Sequence, residues 1–425
     1  MRTTPPRDDL DLALTQSRRD FASIGHHPGR AYLDSAATAQ RPAQVLDAER
    51  AFVERDYAAV HRGASEAVGA ATEAFETARH KVAGFVGAAA DEIVWTENAT
   101  DAINVVALGL SDASTIAVDS ALALRPGDEI LVTEAEHHAN LLPWQKLAAR
   151  TGAVLRWAPV GPDGTWSIDG LRDAASDRTR LIAFAHVSNV TGLIAPVADV
   201  AELARSLGAM TLLDACQSVP HLPVDLGALG VDFAAFSGHK MLGPTGIGAL
   251  YGRAELLNAL PPARTGGSTI TTVTMTDAEF LPAPQRFEAG TQPVSQAVGL
   301  GAAVDYLDGW GMDRIHAHET ELAGLLTEAV AGIPGVRLIG PPPGAPRAAI
   351  VSVDVEGVHA HDVGQFLDSR GVSVRVGHHC AQPLHRALGI SASTRASAYL
   401  YTTPGEVDRF GAALAEVRAF FGADR

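Results

Sequence analysis

From about residue 85 the chain alternates short apolar runs with amphipathic, helix-length stretches. The runs are "EIVWT", "DEILVTEA", "AVLRWAPV", "RLIAFAHVS", "MTLLDACQ", "VDFAAFSGH" and "IGALYGR", bounded by Gly, Asp and Pro. Segments such as "DAINVVALGL", "NLLPWQKLAART" and "VADVAELARSLG" lie between them. Apolar runs separated by helical segments predict βα units around a mostly parallel sheet, whose functional residues gather at the carboxyl ends of the strands. The polar residues sit there: Glu136 and His137 after "ILVTEA", His186 to Asn189 after "LIAFA", and Asp214 after "MTLL". The alternation breaks over 253–293, which carries little helical periodicity. "SQAVGLGAAVDYLDGWG" then predicts a long helix leading into a smaller, looser α+β unit that ends in the helix "PGEVDRFGAALAEVRAFFG". "GPPPGAP" at 340–346 reads as a loop. The expected division is a large domain over 31–295 and a small one over 296–425, with the segment 1–30 packing near the latter.

Composition narrows the classes. A chain of 425 residues with 47% hydrophobic and 19% charged side chains can bury a large core. No apolar run is long enough to span a membrane, and the N-terminus lacks the apolar stretch of a secretory signal. A formal charge of −16 argues against nucleic acid as the main partner. Two cysteines, Cys216 and Cys380, make no disulfide framework, so a reducing cytoplasm is expected.

Three residues at strand ends suggest a chemistry together that none suggests alone. Lys240 sits in "FSGHKMLGPTGIG", a small-residue cluster without the order of a P-loop; it suits a phosphate-bearing cofactor, and a lysine amine can form a Schiff base with an aldehyde. Asp214 offers a carboxylate to a pyridinium nitrogen, although an aspartate at a strand end is commonly a cap. His137 offers an imidazole that can stack and carry protons. Cys380 stands in "RVGHHCAQPLH" behind His378 and His379, without the apolar neighbours of a core cysteine. That trio is too crowded to share one tetrahedral zinc. A free thiol is only a few percent thiolate near neutral pH, and the neighbouring imidazoles and Arg375 are placed to favour the anion. Cys216, in "LLDACQS", reads as a small buried residue.

The motifs "YLDSAATAQRP", "HRG", "NAT", "EHHANLLPWQ", "HVSNVTG", "DACQSVPH", "FSGHKMLGPTGIG", "RFEAGT", "RVGHHCAQPL" and "RAS", in this order, resemble those of the SufS-type cysteine desulfurases. These are fold-type I, class V pyridoxal-phosphate enzymes, and the likeness runs from about residue 31 to the C-terminal helix. It implies the cofactor pyridoxal 5'-phosphate, carried by Lys240, with Asp214 on the pyridinium nitrogen and His137 as the stacking acid/base. It places Gln217 and Asn189 around the ring, and Thr100, Ser237 and His239 at the phosphate. Thr291 would reach the phosphate of the neighbouring subunit, which implies a homodimer. Arg395, supported by Arg375 and Asn189, would bind the carboxylate of the substrate L-cysteine by a bidentate pair. Cys380 would accept the sulfur as a persulfide, leaving L-alanine. His361, in "VHAHDV", matches the histidine that engages the zinc of a SufU-type sulfur acceptor, whereas a SufE-type acceptor would need no such ligand. On its own composition His361 is a solvated residue at a helix start.

Two positions depart from the family pattern, Ser65 in place of a histidine after "HRG" and Thr402 in place of an asparagine after "RAS", and both are expected near the active site. The alternative readings are a selenocysteine lyase or a cysteine sulfinate lyase on the same scaffold, and a non-catalytic sulfur-trafficking partner.

Overall fold

In the computed structural model, residues 17–117 and 120–423 are described. The seven apolar runs all become strands of one sheet: β1 (Ile93–Thr96), β2 (Glu129–Thr133), β3 (Val154–Ala158), β4 (Thr179–Ala185), β5 (Met210–Asp214), β6 (Phe233–Ser237) and β7 (Gly248–Gly252). Their spatial order is β1-β7-β6-β5-β4-β2-β3. Neighbours from β6 to β3 run parallel, while β7 is antiparallel to both β6 and β1. Only ten residues, 238–247, join β6 to β7; a parallel crossover needs a dozen or more, so the strand must return antiparallel.

The runs are apolar throughout because the sheet is covered on both faces. Val94, Ile130, Leu181 and Leu212 enter one buried cluster with Ile103, Val106 and Leu110 of helix α1 (Ala99–Thr115). Their sequence neighbours Trp95, Leu131, Ile182 and Leu213 enter the other, with Val200 and Leu203 of α2 (Val197–Leu207) and Leu300 and Val304 of α3 (Val294–Trp310). Strand period two thus feeds two cores from one run. The stretch 253–293 holds an exposed hairpin, Ile270–Val273 with Ala278–Phe280.

A second sheet, all antiparallel, follows in the order β8-β9-β11-β10: β8 (Val336–Ile339), β9 (Ile350–Val355), β10 (Arg375–Gly377) and β11 (Ser393–Ser397). Val351, Val353 and Val355 of β9 pack with Leu322 and Leu326 of α4 (Met312–Val330), Phe366 and Leu367 of α5 (Ala360–Ser369), and Phe410 and Leu414 of α6 (Pro404–Phe421). Thr403 and Glu406 form a capping box at the start of α6. Residues 1–16 of the N-terminal segment lie outside the described residues. Beyond them, Arg18 pairs with Glu406 at 2.9 Å, Arg30 with Asp368, and Phe21 packs against Tyr401.

The opposite face of β9 carries Ser352 and the buried Ile350 and meets the loop that follows β4. Asn189 O accepts from Arg395 Nη1 at 2.9 Å and Val190 O from Ser352 Oγ at 2.6 Å. Thr191 O accepts from Arg347 Nη2 at 2.6 Å and Gly192 O from Ala348 N at 2.9 Å. Four consecutive carbonyls are thus each captured by the second sheet or the residues leading into it. The contact is too close for side chains at two points. A Cβ on Gly192, whose φ is +72°, would lie 2.7 Å from Ile350 O, and one on Gly340, at φ +110°, would lie 2.4 Å from Thr191 O.

Arg347 is buried, and its recorded partners are carbonyls: Nη1 donates to Pro341 O at 2.9 Å, and Nη2 donates also to Ile350 O at 3.0 Å. Burial pushes its pKa down to about 10, so it remains a cation at neutral pH. Removing it strands several buried acceptors at a cost of about 1–3 kcal/mol each. Arg347→Met is therefore expected to lower the unfolding free energy by about 2–4 kcal/mol. A urea titration that finds the variant within about 0.5 kcal/mol of the parent would remove Arg347 from the seam.

Candidate active site

One cleft of about 450 Å³ opens at the carboxyl end of the large sheet. Its lining includes Thr100, His137, Asn189, Asp214, Gln217, Ser237, His239, Lys240, Arg375, Cys380 and Arg395. The structure therefore brings together all but two of the residues expected at the site. Thr291 lines an adjoining hollow with Arg264 and Glu288, which shares Glu97, Asn98 and Gly246 with the cleft. His361 is exposed on the first turn of α5, its ring stacked on that of His359 with centroids 5.5 Å apart.

Most of these side chains stand at or just after strand ends, while Thr100 opens a helix and Arg395 projects from within β11. Asp214 closes β5, is buried, and accepts from Cys216 N at 3.0 Å. Lys240 ends a single 3-10 turn, Gly238–Lys240, directly after β6. Ala99 and Thr100 open α1, and the Ala99 amide donates to Ser237 Oγ at 2.9 Å. The start of a 17-residue helix beside two hydroxyls and His239 suits a phosphate group. Gln217 is buried with Nε2 on Ala36 O at 2.7 Å, and its Oε1 has no partner. An orphaned acceptor in a cleft that also holds a lysine and a buried aspartate fits an aromatic aldehyde cofactor with polar ring substituents.

His137 follows β2. Its Nδ1 accepts from Ala139 N at 3.1 Å, which leaves Nε2 to carry the proton of the neutral ring. Burial, reinforced by the Lys240 cation against the pull of Asp214, pushes its pKa down to about 4. Beneath it Glu136 is fully buried, accepting from Thr133 Oγ1 at 2.5 Å and Asn140 Nδ2 at 2.7 Å. Burial, helped by Asp214, pushes that carboxyl up to about 8, so it is a neutral acid that holds the His137 turn in place.

Cys380 is exposed at the rim. His379 and Cys380 adopt successive left-handed conformations, φ 48° and 57°, unusual for non-glycine residues. The loop is tied down on both carbonyls. Asn189 Nδ2 donates to His379 O at 2.7 Å, and His138 N donates to Cys380 O at 2.6 Å. His138 Nε2 also accepts from Gln382 N at 3.1 Å. His379 is buried, hydrogen-bonded to Ser393 Oγ at 3.0 Å, and desolvation with the nearby Arg395 pushes its pKa down to about 2. That ring is neutral and lends no positive charge to the thiol, contrary to expectation. Of the expected cationic neighbours, Arg375 is the one that is always charged.

Arg395 is fully buried, and desolvation pushes its pKa down to about 10, leaving it cationic. Its Nη1 is held by Asn189 O, its Nη2 lies 3.4 Å from Asp34 Oδ1, and its Nε has no partner. Arg375 Nε lies 3.2 Å from the same Asp34 oxygen. Cys216 lines the cleft, but burial and Asp214 push its thiol up to about 12, so it stays protonated.

The departures lie elsewhere than expected: neither Ser65 nor Thr402 lines the cleft. Ser65 caps the helix Glu66–Phe85, accepting from Val68 N, and Thr402 is buried with its hydroxyl on Tyr399 N at 3.0 Å. Asp34 and His138 were missed as contributors although both stand inside quoted motifs. Their roles are contacts across the cleft wall, which spacing along the chain does not encode.

The family model described as "Aminotransferase class-V" matches residues 31–410. The chain is 54% identical over 394 residues to a probable cysteine desulfurase 2 of Mycobacterium leprae, covering 93% of each chain. It is 47% identical over 410 residues to a probable cysteine desulfurase of Streptomyces coelicolor, covering 95% of this chain and 97% of that one. Among solved structures it is similar to the apo cysteine desulfurase of Thermococcus onnurineus (TM-score 0.89, 35% identity, 99% and 100% of the chains covered). It is also similar to the cysteine desulfurase CsdA of Escherichia coli (TM-score 0.86, 36% identity, 96% and 98% covered).

The neutral, buried His379 predicts an acid-sensitive loop. Its pKa is depressed in the fold relative to about 6.5 when free, so the opened loop binds the proton that the closed loop excludes. The free energy of opening is therefore fully present above about pH 6.5 and falls by up to about 1.4 kcal/mol for each pH unit below it. Hydrogen exchange at Ala381 and Gln382 should accelerate accordingly beyond its intrinsic pH dependence, and His379→Gln should abolish that excess. Equal pH slopes in parent and variant would show that the ring does not govern opening.

Proposed function

We propose, from the premise that the chain belongs to the aminotransferase class-V family and is a pyridoxal-phosphate-dependent cysteine desulfurase, that sulfur leaves L-cysteine through Cys380. The enzyme is of the SufS type, works in the cytoplasm, and passes the resulting persulfide to an acceptor for iron–sulfur cluster assembly. The observation that carries this reading is that Lys240, Asp214, His137, Arg395 and Cys380 line one cleft.

When bound, pyridoxal phosphate supplies an electron sink that stabilises negative charge at the substrate Cα. Lys240 is the residue that would hold it covalently, and Asp214 would keep its ring nitrogen protonated. Thr100, Ser237 and His239 would bind its phosphate, joined by Thr291 across a homodimer interface, while Gln217 and Asn189 would bind around the ring. Arg395, steadied by Asn189 O and joined by Arg375, binds the substrate carboxylate and so orients the Cα proton. The amine of Lys240 and the neutral His137 ring move protons at Cα and Cβ. Cys380 Sγ, as thiolate, forms a bond to the substrate sulfur while the substrate Cβ–S bond breaks. The electron pair released stays with carbon, which takes up a proton and leaves as L-alanine. The division expected at 295/296 falls inside α3, whose Leu300 and Val304 pack in the core of the large sheet, so we place the boundary between a large cofactor-binding domain and a small domain after α3, at 310/311.

Two substitutions separate the half-reactions. Lys240→Ala is expected to lose the visible absorbance of the bound cofactor together with all turnover; alanine formation by that variant would reassign the lysine. Cys380→Ser should retain the absorbance and still change spectrum on adding L-cysteine, yet form no protein persulfide. Parental desulfuration by Cys380→Ser would overturn the role of the thiol.

The acceptor follows from His361, which is exposed at the start of α5. Imidazole suits zinc, and the resemblance places this histidine where it would engage a zinc-bearing, SufU-type acceptor. His361→Ala should then lose stimulation by such an acceptor while keeping the slow reaction with a small-thiol reductant. Stimulation of the variant as strong as that of the parent would leave His361 as surface.

A further inference from the structure

We propose that Ser393 and His385 are positioning residues for the sulfur-transfer step: together with His379 they form a hydrogen-bonded clasp that ties both chain neighbours of Cys380 to strand β11. This role rests on the reading that Cys380 takes the sulfur. The loop leaves β10 at Gly377, which is paired with Ser393 on β11. His379 and His385, on either side of Cys380 in the chain, both return to that serine. His379 Nε2 lies 3.0 Å and His385 Nε2 2.9 Å from Ser393 Oγ. The other ring nitrogen of His385, Nδ1, lies 2.9 Å from Ala381 O. All three side chains are buried. The residue before Cys380 is thus held by its ring and the residue after it by its carbonyl, and both ties run to one hydroxyl.

Counting protons fixes the direction of every bond. Burial lowers the pKa of both rings, aided by Arg395 at His379 and by His378 at His385, so each ring carries a single proton at neutral pH. A carbonyl only accepts, so the His385 proton sits on Nδ1 and its Nε2 is an acceptor. Ser393 must then give its one proton to His385 Nε2 and accept from His379 Nε2. That leaves His379 Nδ1 bare, and Nδ1 is the nitrogen of that ring without a partner. One arrangement of protons satisfies the clasp, so it holds the loop with one tautomer at each ring. Neither Ser393 nor His385 lines the cleft, so both act through the loop. Ser393 stands two residues before Arg395 on the same strand. The clasp therefore sets the thiol against the strand that carries the arginine read as holding the substrate carboxylate. The bonds from Arg395 to Asn189 O and Asp34 involve neither histidine, so substrate binding does not pass through the clasp.

Two measurements on the holoenzyme compare Ser393→Ala with the parent. The dissociation constant of the product L-alanine, read from the change in cofactor absorbance, reports Arg395 and the cofactor without the thiol. The rate of persulfide formation on Cys380 is read in a single turnover from the mass of the quenched protein. Losing the hydroxyl strands two buried ring nitrogens and frees the loop, so the rate should fall about tenfold or more while the dissociation constant stays within about twofold. Both unchanged, or both impaired in equal proportion, overturns the proposal and leaves Ser393 as support for β11. Should Ser393→Ala fail to fold, His385→Leu breaks the clasp at its other arm and is expected to show the same split. The 15N shifts of the histidine-labelled parent, assigned with His379→Gln and His385→Gln, test the proton count without a clasp variant or turnover. They should show His379 protonated at Nε2 and His385 at Nδ1; the opposite tautomer at either ring overturns the clasp. Failure of the underlying reading looks different: Cys380→Ser would form L-alanine at the parental rate with the tautomers as assigned, and the positioning role would fall with it.

Discussion

The capture of four successive carbonyls, at Asn189, Val190, Thr191 and Gly192, is the contact on which the site depends. Those carbonyls belong to a loop of the large sheet, and their donors belong to the small sheet or the residues entering it. A buried carbonyl without a partner costs about as much as the hydrogen bond it would make. The loop therefore cannot drift from β9 and β11 without several such losses at once. Through Asn189 the restraint passes into the chemistry, because its Nδ2 holds His379 O and its own carbonyl holds Arg395. The residue expected to bind the carboxylate and the loop that presents the thiol are thus both referenced to one short segment.

This arrangement also explains why the site is so poor in mobile charge. His137 and His379 are kept neutral by burial, Glu136 is kept protonated, and the Cys216 thiol is raised far from ionisation. Desolvation leads in every case: Glu136 and Cys216 are enclosed within the large domain, and His379 lies buried against Ser393 of the small sheet. In such surroundings the few permanent charges, above all Arg395 with its partner Asp34, act with less screening than they would in water.

Most of the fold was legible because a sheet covered on both faces demands continuous apolar runs, and each of the seven runs became a strand. The reversed direction of β7 was not legible from hydrophobicity, since "IGALYG" is as apolar as its parallel neighbours; the short connection behind it carried that information. The hairpin at 270–280 escaped because it buries little, with Met275 fully exposed, and so leaves no apolar signature. At the site, residues announced by their own chemistry, such as Lys240 and Cys380, were readable. Those that act by holding a neighbour were not: His138 through a backbone bond to Cys380, Arg347 through carbonyls, Asp34 through two arginines. Ser65 and Thr402 show the converse, departures that stood out in the motif and whose side chains serve a helix cap and a turn.

If Cys380 carries the sulfur, as proposed, the loop around it constrains how that sulfur can leave. Its thiol is exposed, yet His379 O, Cys380 O and Gln382 N are all engaged by groups of the large sheet's loops, and Ala381 is fully buried behind it. Two consecutive residues in the left-handed region cost on the order of 1 kcal/mol each and persist only while those bonds hold them. A long excursion of the thiol toward a distant acceptor would give up all three bonds, whereas an acceptor that reaches the rim gives up none. The geometry thus favours delivery at the mouth of the cleft, with the acceptor making the approach and the enzyme presenting a fixed sulfur.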